Sequence, residues 1–529
     1  MSDEFRPIKL SEIKAFFSGL SLKEKIAVSA RAIMVFIALF ALIVMFVKAE
    51  GNARNETELL IGCFTLLGSA FFFRPLFFLL LYFPVFFILM LNVHLRRTYG
   101  LFLSDVANQV FAVIGDTNKT EVFEYLAGAS FFELIALLLT APLSVCTLFY
   151  TPKFKEIPVK WIRIFCFIIV LSYPFGNLSQ LAPVVKTKFS PEQKEILEKA
   201  AAFKFNPEKS GNKADTVVIL IGESHRQAEF NPAFDKYVSG FQNLYRFSDM
   251  TSLFAGTLNG VPTILSRKKA TDRFNFFYEK SVFSLFKEAG YETYFVHYTN
   301  TAFEQNQLSV IYKEADHFIK YAKKITPVTD ESILPVLENL LANRKKKKLI
   351  VIKMIGIHIN FSERYPDPGF SSFRRFWTSL KPKTKEREMY HYNKAISYSA
   401  GVIADIMQKI EQRPEPSLLL FSSDHGICIF DKGTFHIPAT CQNAFHIPAM
   451  LLLNPALTAA TSDDAKKNLA CNQDKPLTAE YYFETIASLA GISYSSADKR
   501  YDLTRKCDPL HEKKRPVYTA GKDYFYEDL

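Results

Sequence analysis

The sequence predicts two unlike bodies in one chain: an α-helical membrane domain of five spans over residues 1–175, and a soluble α/β domain over residues 214–529. Three observations lead there. First, 51 of the 529 residues are Phe, crowded into the first third, where runs such as AIMVFIALFALIVMFV are too long and too charge-poor for the core helix of a globular domain. Second, composition turns mixed and polar after about residue 176, rich in Lys, Glu, Asn and Pro. Third, short apolar runs bounded by polar turns then alternate with helix-like segments, the pattern of a mostly parallel sheet covered by helices.

A helix crosses the hydrocarbon core with about 20 apolar residues, fewer where flanking side chains snorkel. Spans are expected near 27–47, 59–73, 76–92, 126–149 and 159–175, the second and third forming a hairpin at Arg74-Pro75. The first span is expected to stay attached, because charged sequence precedes it and no small-residue cleavage pattern follows. Arg6, Lys9, Lys14, Lys23 and Lys25 precede it and Arg31 lies in its first turns; Arg74, Lys153, Lys155 and Lys160 fall on the same side of the membrane. That side is expected to be cytoplasmic, and an odd number of spans places everything after residue 176 across the membrane.

The net charge of +11 comes with no nucleic-acid recognition motif and fits an anionic lipid surface better than a nucleic-acid partner. Seven cysteines show no metal-finger spacing; those in the soluble part allow a disulfide or two. Residues 176–213 read as a bridging linker with an amphipathic helix, SPEQKEILEKAAAF, begun by Ser190 and Pro191.

In the soluble domain the runs TVVILIG, ETYFVHY, KLIVIKMIG and SLLLFSSD are the expected strands, with SVFSLFKEAG and YNKAISYSAGVIADIMQKI as helices between them. Active sites of such sheets form beyond the carboxyl ends of the strands. Three exits carry metal-capable or acid/base groups: Glu223-Ser224-His225-Arg226, His358, and Asp424-His425-Gly426. Zinc favours imidazole and carboxylate ligands, so Glu223, Asp424 and His425 supply three, with a fourth position for a nucleophile. Thr257, in SLFAGTLNGVPTILSR, follows a Gly at a turn into a helix whose amides suit a phosphate. A hydroxyl gains nucleophilicity on coordination to zinc. On these grounds alone a hydroxyl capping the helix is the favoured reading of Thr257.

Taken in order, these motifs resemble the membrane-bound phosphoethanolamine transferases of the alkaline phosphatase/sulfatase superfamily, over nearly the whole chain. Gly222-Glu223-Ser224-His225-Arg226 is similar to that family's strand-ending Gly-Glu-Ser/Thr-x-Arg, Gly256-Thr257 before Val261-Pro262 to its nucleophile loop, and Asp424-His425 to its zinc pair. The resemblance implies an alkaline phosphatase/sulfatase-like α/β domain in the periplasm of a bacterial inner-membrane protein. It implies Zn²⁺ held by Glu223, Thr257, Asp424 and His425, one ion being expected and a second during turnover left open. It also implies His358 and His436 as binders of the phosphoethanolamine group or acid/base helpers, and Thr117 and Glu121 as contacts to the lipid headgroup. The implied reaction moves phosphoethanolamine from phosphatidylethanolamine to an envelope glycolipid (lipid A, lipopolysaccharide core or a related glycan) through a covalent Thr257 intermediate. The chain departs from the pattern at Val113, where the family usually has Asn, and at Ala255 and Thr263, where many members have Cys. Ser252, Thr251 and, more remotely, Ser224 stay open as other nucleophiles. So do a phosphoglycerol transferase or sulfatase-like hydrolase with the same metal apparatus, and a non-catalytic receptor or scaffold.

Overall fold

The computed structural model describes residues 18–47, 131–148, 191–208, 213–272, 277–298, 307–321, 329–343, 346–358, 361–367, 384–431, 441–507, 514–519 and 522–529, with residues 11, 78–80, 82–83, 86–87 and 90. The expected spans at 59–73 and 159–175, and the candidate residues Thr117, Glu121 and His436, lie outside the described residues. The chain divides into two compact units.

The first unit holds helices α1 (Leu22–Val47) and α2 (Phe131–Thr147). A capping box starts α1: the Glu24 amide donates to Ser21 Oγ at 3.3 Å while Glu24 Oε2 accepts from the Ser21 amide at 2.9 Å. Small side chains on α1, Ala27, Ala30 and Ala38, are buried, whereas Ile33, Phe36 and Phe40 are exposed. That distribution inverts the one water imposes and suits close helix contact inside a lipid-facing surface. Among the described residues no helix is long and apolar enough to cross a membrane. Helix α2 has 17 residues, about 26 Å of the roughly 30 Å required.

The second unit begins with α3 (Pro191–Ala201), the expected linker helix, and continues as an α/β domain. Its centre is three parallel strands, β1 (Thr216–Gly222) between β6 (Lys348–Lys353) and β7 (Ser417–Ser423), buried at every position. Burial on both faces explains why these strands read as continuous apolar runs rather than alternating ones. Their ends are aligned by register: Ile221 pairs with Lys353, and Gly222 with Ser423. Strands β4 (Glu292–His297) and β5 (His317–Lys320) extend the parallel set beyond β6. On the other side β8 (Ala449–Leu453) runs antiparallel to β7, and β2 (Leu244–Phe247) antiparallel to β8 and hence with the others, giving the order β2-β8-β7-β1-β6-β4-β5 among the described residues. Two short pairs lie apart from this sheet: β3 (Met250–Thr251) with β9 (Leu477–Thr478), and β10 (Pro516–Thr519) with β11 (Lys522–Phe525). The disulfides Cys428–Cys441 and Cys471–Cys507 close two loops of this unit.

Helices α4 (Gln227–Phe234), α5 (Thr257–Leu265) and α6 (Val282–Glu288) follow strands or turns, and α7 (Lys385–Glu411) packs along α4. Thr384 caps α7 by accepting from the Arg387 amide, and Glu386 and Glu388 complement its positive end. The turn after β6 is built on Gly356, whose φ of +53° is left-handed and whose missing Cβ would lie 2.6 Å from the Glu223 amide nitrogen. Gly356→Ala should therefore cost about 1–2 kcal/mol for the backbone alone, with further loss from displacing Glu223; an unchanged melting temperature would contradict this account of the turn.

Candidate metal centre

Where β1, β6 and β7 end, the chain reverses sharply and brings four charged or imidazole side chains together. Glu223 follows β1, Asp424 and His425 follow β7, and Lys353 is the last residue of β6. The turn after β1 is held open by Ser224, a non-glycine residue at φ +59°. Tyr392 on α7 clamps that turn: its hydroxyl donates to the Ser224 carbonyl and accepts from the Arg226 amide, both at 2.8 Å. Holding a non-glycine residue in that region costs of order 1–3 kcal/mol and is met where a site demands it.

Helix α5 delivers Thr257 to the same place. Gly260, one turn along it, lies so close to Asp424 that a Cβ would stand 2.6 Å from the Asp424 carbonyl oxygen. The Thr257 hydroxyl donates to Glu223 Oε2 at 2.9 Å and lies 3.3 Å from His425 Nε2. His425 Nε2 is in turn 3.3 Å from Glu223 Oε1 and 3.8 Å from Asp424 Oδ2. Its Nδ1 lies 2.6 Å from the Gly426 carbonyl, which orients the ring and leaves Nε2 facing the carboxylates.

Glu223, Asp424 and His425 place their donor atoms within 4.8 Å of one another, all buried. Zinc bonds of about 2.0–2.1 Å in a tetrahedron imply ligand–ligand edges of roughly 3.3 Å, so the separations around His425 Nε2 and Thr257 Oγ1 fit a zinc ion.

The electrostatics favour a cation. Burial alone would raise the Glu223 carboxyl, but Lys353, His425 and His358 together hold it well below the usual carboxylate range. Asp424 is pushed up by burial and by the neighbouring Glu223 charge. His425 is pulled down by burial and up more strongly by Asp424 and Glu223, to about 9. A buried imidazole held so high reports a negative field in which a divalent ion would displace the proton.

The structure thus brings together Glu223, Thr257, Asp424 and His425. Two of the other hydroxyls are turned away: Thr251 donates to the Leu477 carbonyl and Ser252 to the Phe254 carbonyl, both at 3.1 Å and fully buried; Ser224 does reach the cluster, donating to Glu223 Oε1 at 2.7 Å from the side opposite Thr257's acceptor Oε2. His225 faces away as well; its Nε2 lies 3.0 Å from Ser399 Oγ, which donates to Asp330 at 2.7 Å, and burial drops its pKa to about 3. His358 stands after the Gly356 turn, its carbonyl accepting from Arg364 Nε at 3.1 Å. Arg226 pairs with Glu229 at 2.9 Å and Asp431 at 3.4 Å, tying the β1 turn to the loop closed by Cys428–Cys441.

Sequence reasoning missed Lys353. Its Nζ lies 2.8 Å from Glu223 Oε2 and 3.0 Å from Asp424 Oδ2, and donates to the Gly222 carbonyl at 3.0 Å. The signal was a lysine at the end of an apolar strand, an expensive residue to bury without acidic partners.

Residues 215–492 match the Sulfatase family, more than half of the chain. The chain belongs to that family. Its relatives there include phosphoethanolamine transferase EptC of Escherichia coli K12, 23% identical over 465 residues and aligned over 77% of this chain and 78% of that protein. The C-terminal periplasmic domain of E. coli EptC, solved in complex with Zn, matches with a TM-score of 0.52 at 21% identity, over 62% of this chain and 96% of that one. The integral membrane lipooligosaccharide phosphoethanolamine transferase A of Neisseria meningitidis matches with a TM-score of 0.59 at 15% identity, over 89% and 98%. These structures share the fold.

Zinc added to chelator-stripped protein should raise the melting temperature, with about 2.7 kcal/mol of stabilisation at a hundredfold excess over Kd. Glu223→Gln and His425→Ala should lose most of that response. A thermal shift indifferent to zinc in the parent protein would refute the ligand set.

Proposed function

We propose that this protein is a zinc-dependent enzyme that transfers phosphoethanolamine from phosphatidylethanolamine to an envelope glycolipid, with Thr257 as nucleophile. The observation that carries this reading is the Thr257 hydroxyl itself, 2.9 Å from Glu223 Oε2 and 3.3 Å from His425 Nε2. The family membership and the relatives named as phosphoethanolamine transferases support the same reaction class.

Zinc held by Glu223, Asp424, His425 and Thr257 would supply Lewis acidity toward the phosphate and the hydroxyl. Thr257 Oγ1, its hydroxyl proton released to solvent, forms a bond to phosphorus as the bond to the diacylglycerol oxygen breaks, leaving phosphoethanolamine on the threonine. A hydroxyl of the acceptor then attacks the same phosphorus and releases Thr257. The positive end of α5 favours the phosphate charge throughout. His358 and His436 bind the phosphoethanolamine group, giving a proton to the leaving oxygen and taking one from the acceptor.

The lipid donor calls for a membrane anchor. In this reading residues 1–175 form a five-span domain in a bacterial inner membrane, residues 176–213 bridge, and residues 214–529 act in the periplasm. Thr117 and Glu121 meet the donor headgroup. Anchoring replaces a search through solution by one along a surface.

Full-length protein incubated with phosphatidylethanolamine should gain the mass of one phosphoethanolamine group on the peptide containing Thr257. Thr257→Ala should abolish that label and lower turnover by about a thousandfold or more. A label on another residue would overturn the nucleophile assignment. Free phosphoethanolamine with no gain of mass on any envelope glycolipid would make the protein a hydrolase.

A further inference from the structure

The deepest charge in the centre is the least expected one. Lys353 is buried to 1% exposure at the end of β6, beside the ends of β1 and β4 through the pairs Ile221–Lys353 and His297–Lys353. Its ammonium donates to Glu223 Oε2 at 2.8 Å and to the Gly222 carbonyl at 3.0 Å, and forms an ion pair with Asp424 Oδ2 at 3.0 Å. The sheet anchors this cation; it is not a surface side chain folded inward.

We propose that Lys353 is a built-in second cation of the centre, bridging Glu223 and Asp424 so that the site takes a single divalent ion beside Thr257. In two-metal phosphoryl-transfer sites, ions about 3.5–4 Å apart divide the work of neutralising the attacking and leaving oxygens. Here one side of the carboxylate pair already carries a positive charge, hydrogen-bonded to Glu223 and ion-paired with Asp424. Two carboxylates, one ammonium and one divalent ion leave a single net positive charge in a dry site. A second divalent ion would leave three, with no further acid among the described residues that gather there to offset it. Glu223 Oε2 accepts from both Lys353 and Thr257, so the ammonium also offsets, next to the nucleophile, the negative charge of its own hydrogen-bond acceptor. Lys353 is a positioning residue in this scheme: it touches the ligands, not the substrate.

The inference rests on Glu223, Asp424 and His425 being zinc ligands, and its test separates the two. Full-length protein saturated with zinc, freed of loosely held metal and analysed by mass spectrometry for metal content should hold one ion per chain. This count requires no variant. Lys353→Met, retaining the length of the stem without the charge, should bind zinc about tenfold more tightly in a chelator competition, or take a second ion. Its kcat should fall while KM for phosphatidylethanolamine changes little. A merely structural lysine predicts the opposite, since loosened carboxylates would bind zinc more weakly. Two ions in the parent protein, weaker or unchanged zinc binding in Lys353→Met, or undiminished kcat would each overturn the proposal and leave the ligand assignment standing. No zinc in the parent protein would instead defeat the ligand assignment, and this inference with it.

Discussion

The structure of the catalytic unit is organised around one electrostatic problem: two carboxylates, Glu223 and Asp424, buried side by side at the ends of adjacent strands. Each buried ion carries a desolvation penalty of several kcal/mol unless it is paired and hydrogen-bonded. Lys353 from the third strand and His425 from the same turn as Asp424 answer that demand, with Ser224 and Thr257 hydroxyls filling the remaining acceptor positions on Glu223. The register that sets Ile221 beside Lys353 and Gly222 beside Ser423 is what makes the three contributions coincide.

Around this cluster the backbone is shaped to permit close approach. Gly260 lets α5 lie against the Asp424 carbonyl, Gly356 lets the β6 turn pass the Glu223 backbone, and Tyr392 fixes the left-handed Ser224. Farther out, Asp330 links the site to α7: it accepts from the Gly356 amide at 2.9 Å and from Ser399, which also meets His225. The helix that covers the sheet therefore takes part in holding the turn after which His358 stands.

Much of the fold was legible in the residues because strands buried on both faces announce themselves. TVVILIG, KLIVIKMIG and SLLLFSS are near-continuous apolar runs and ETYFVHY is a mixed, partly buried one, and all four are strands ending within a few residues of the expected places. Strand β2, Leu-Tyr-Arg-Phe, has one fully buried position and no alternation to mark it, and it exists because β8 offers an edge. Strand β5, exposed along much of its length, is defined by pairing with β4 in the same way. Strand β8, an apolar run between Pro448 and Asn454-Pro455, is not among the strands expected from the sequence.

The amino-acid order by itself determined which residue types leave which strands: Glu after β1, Asp-His after β7, and a hydroxyl opening α5. Those are local facts, set by apolar runs, turn residues and the alternation of strand and helix. Only the tertiary structure decided which of several hydroxyls meets the acids, that His225 turns toward Ser399, and that a strand lysine bridges the carboxylates. Partners 34, 130 and 168 residues apart in sequence become neighbours through sheet order and register, and no local pattern encodes those.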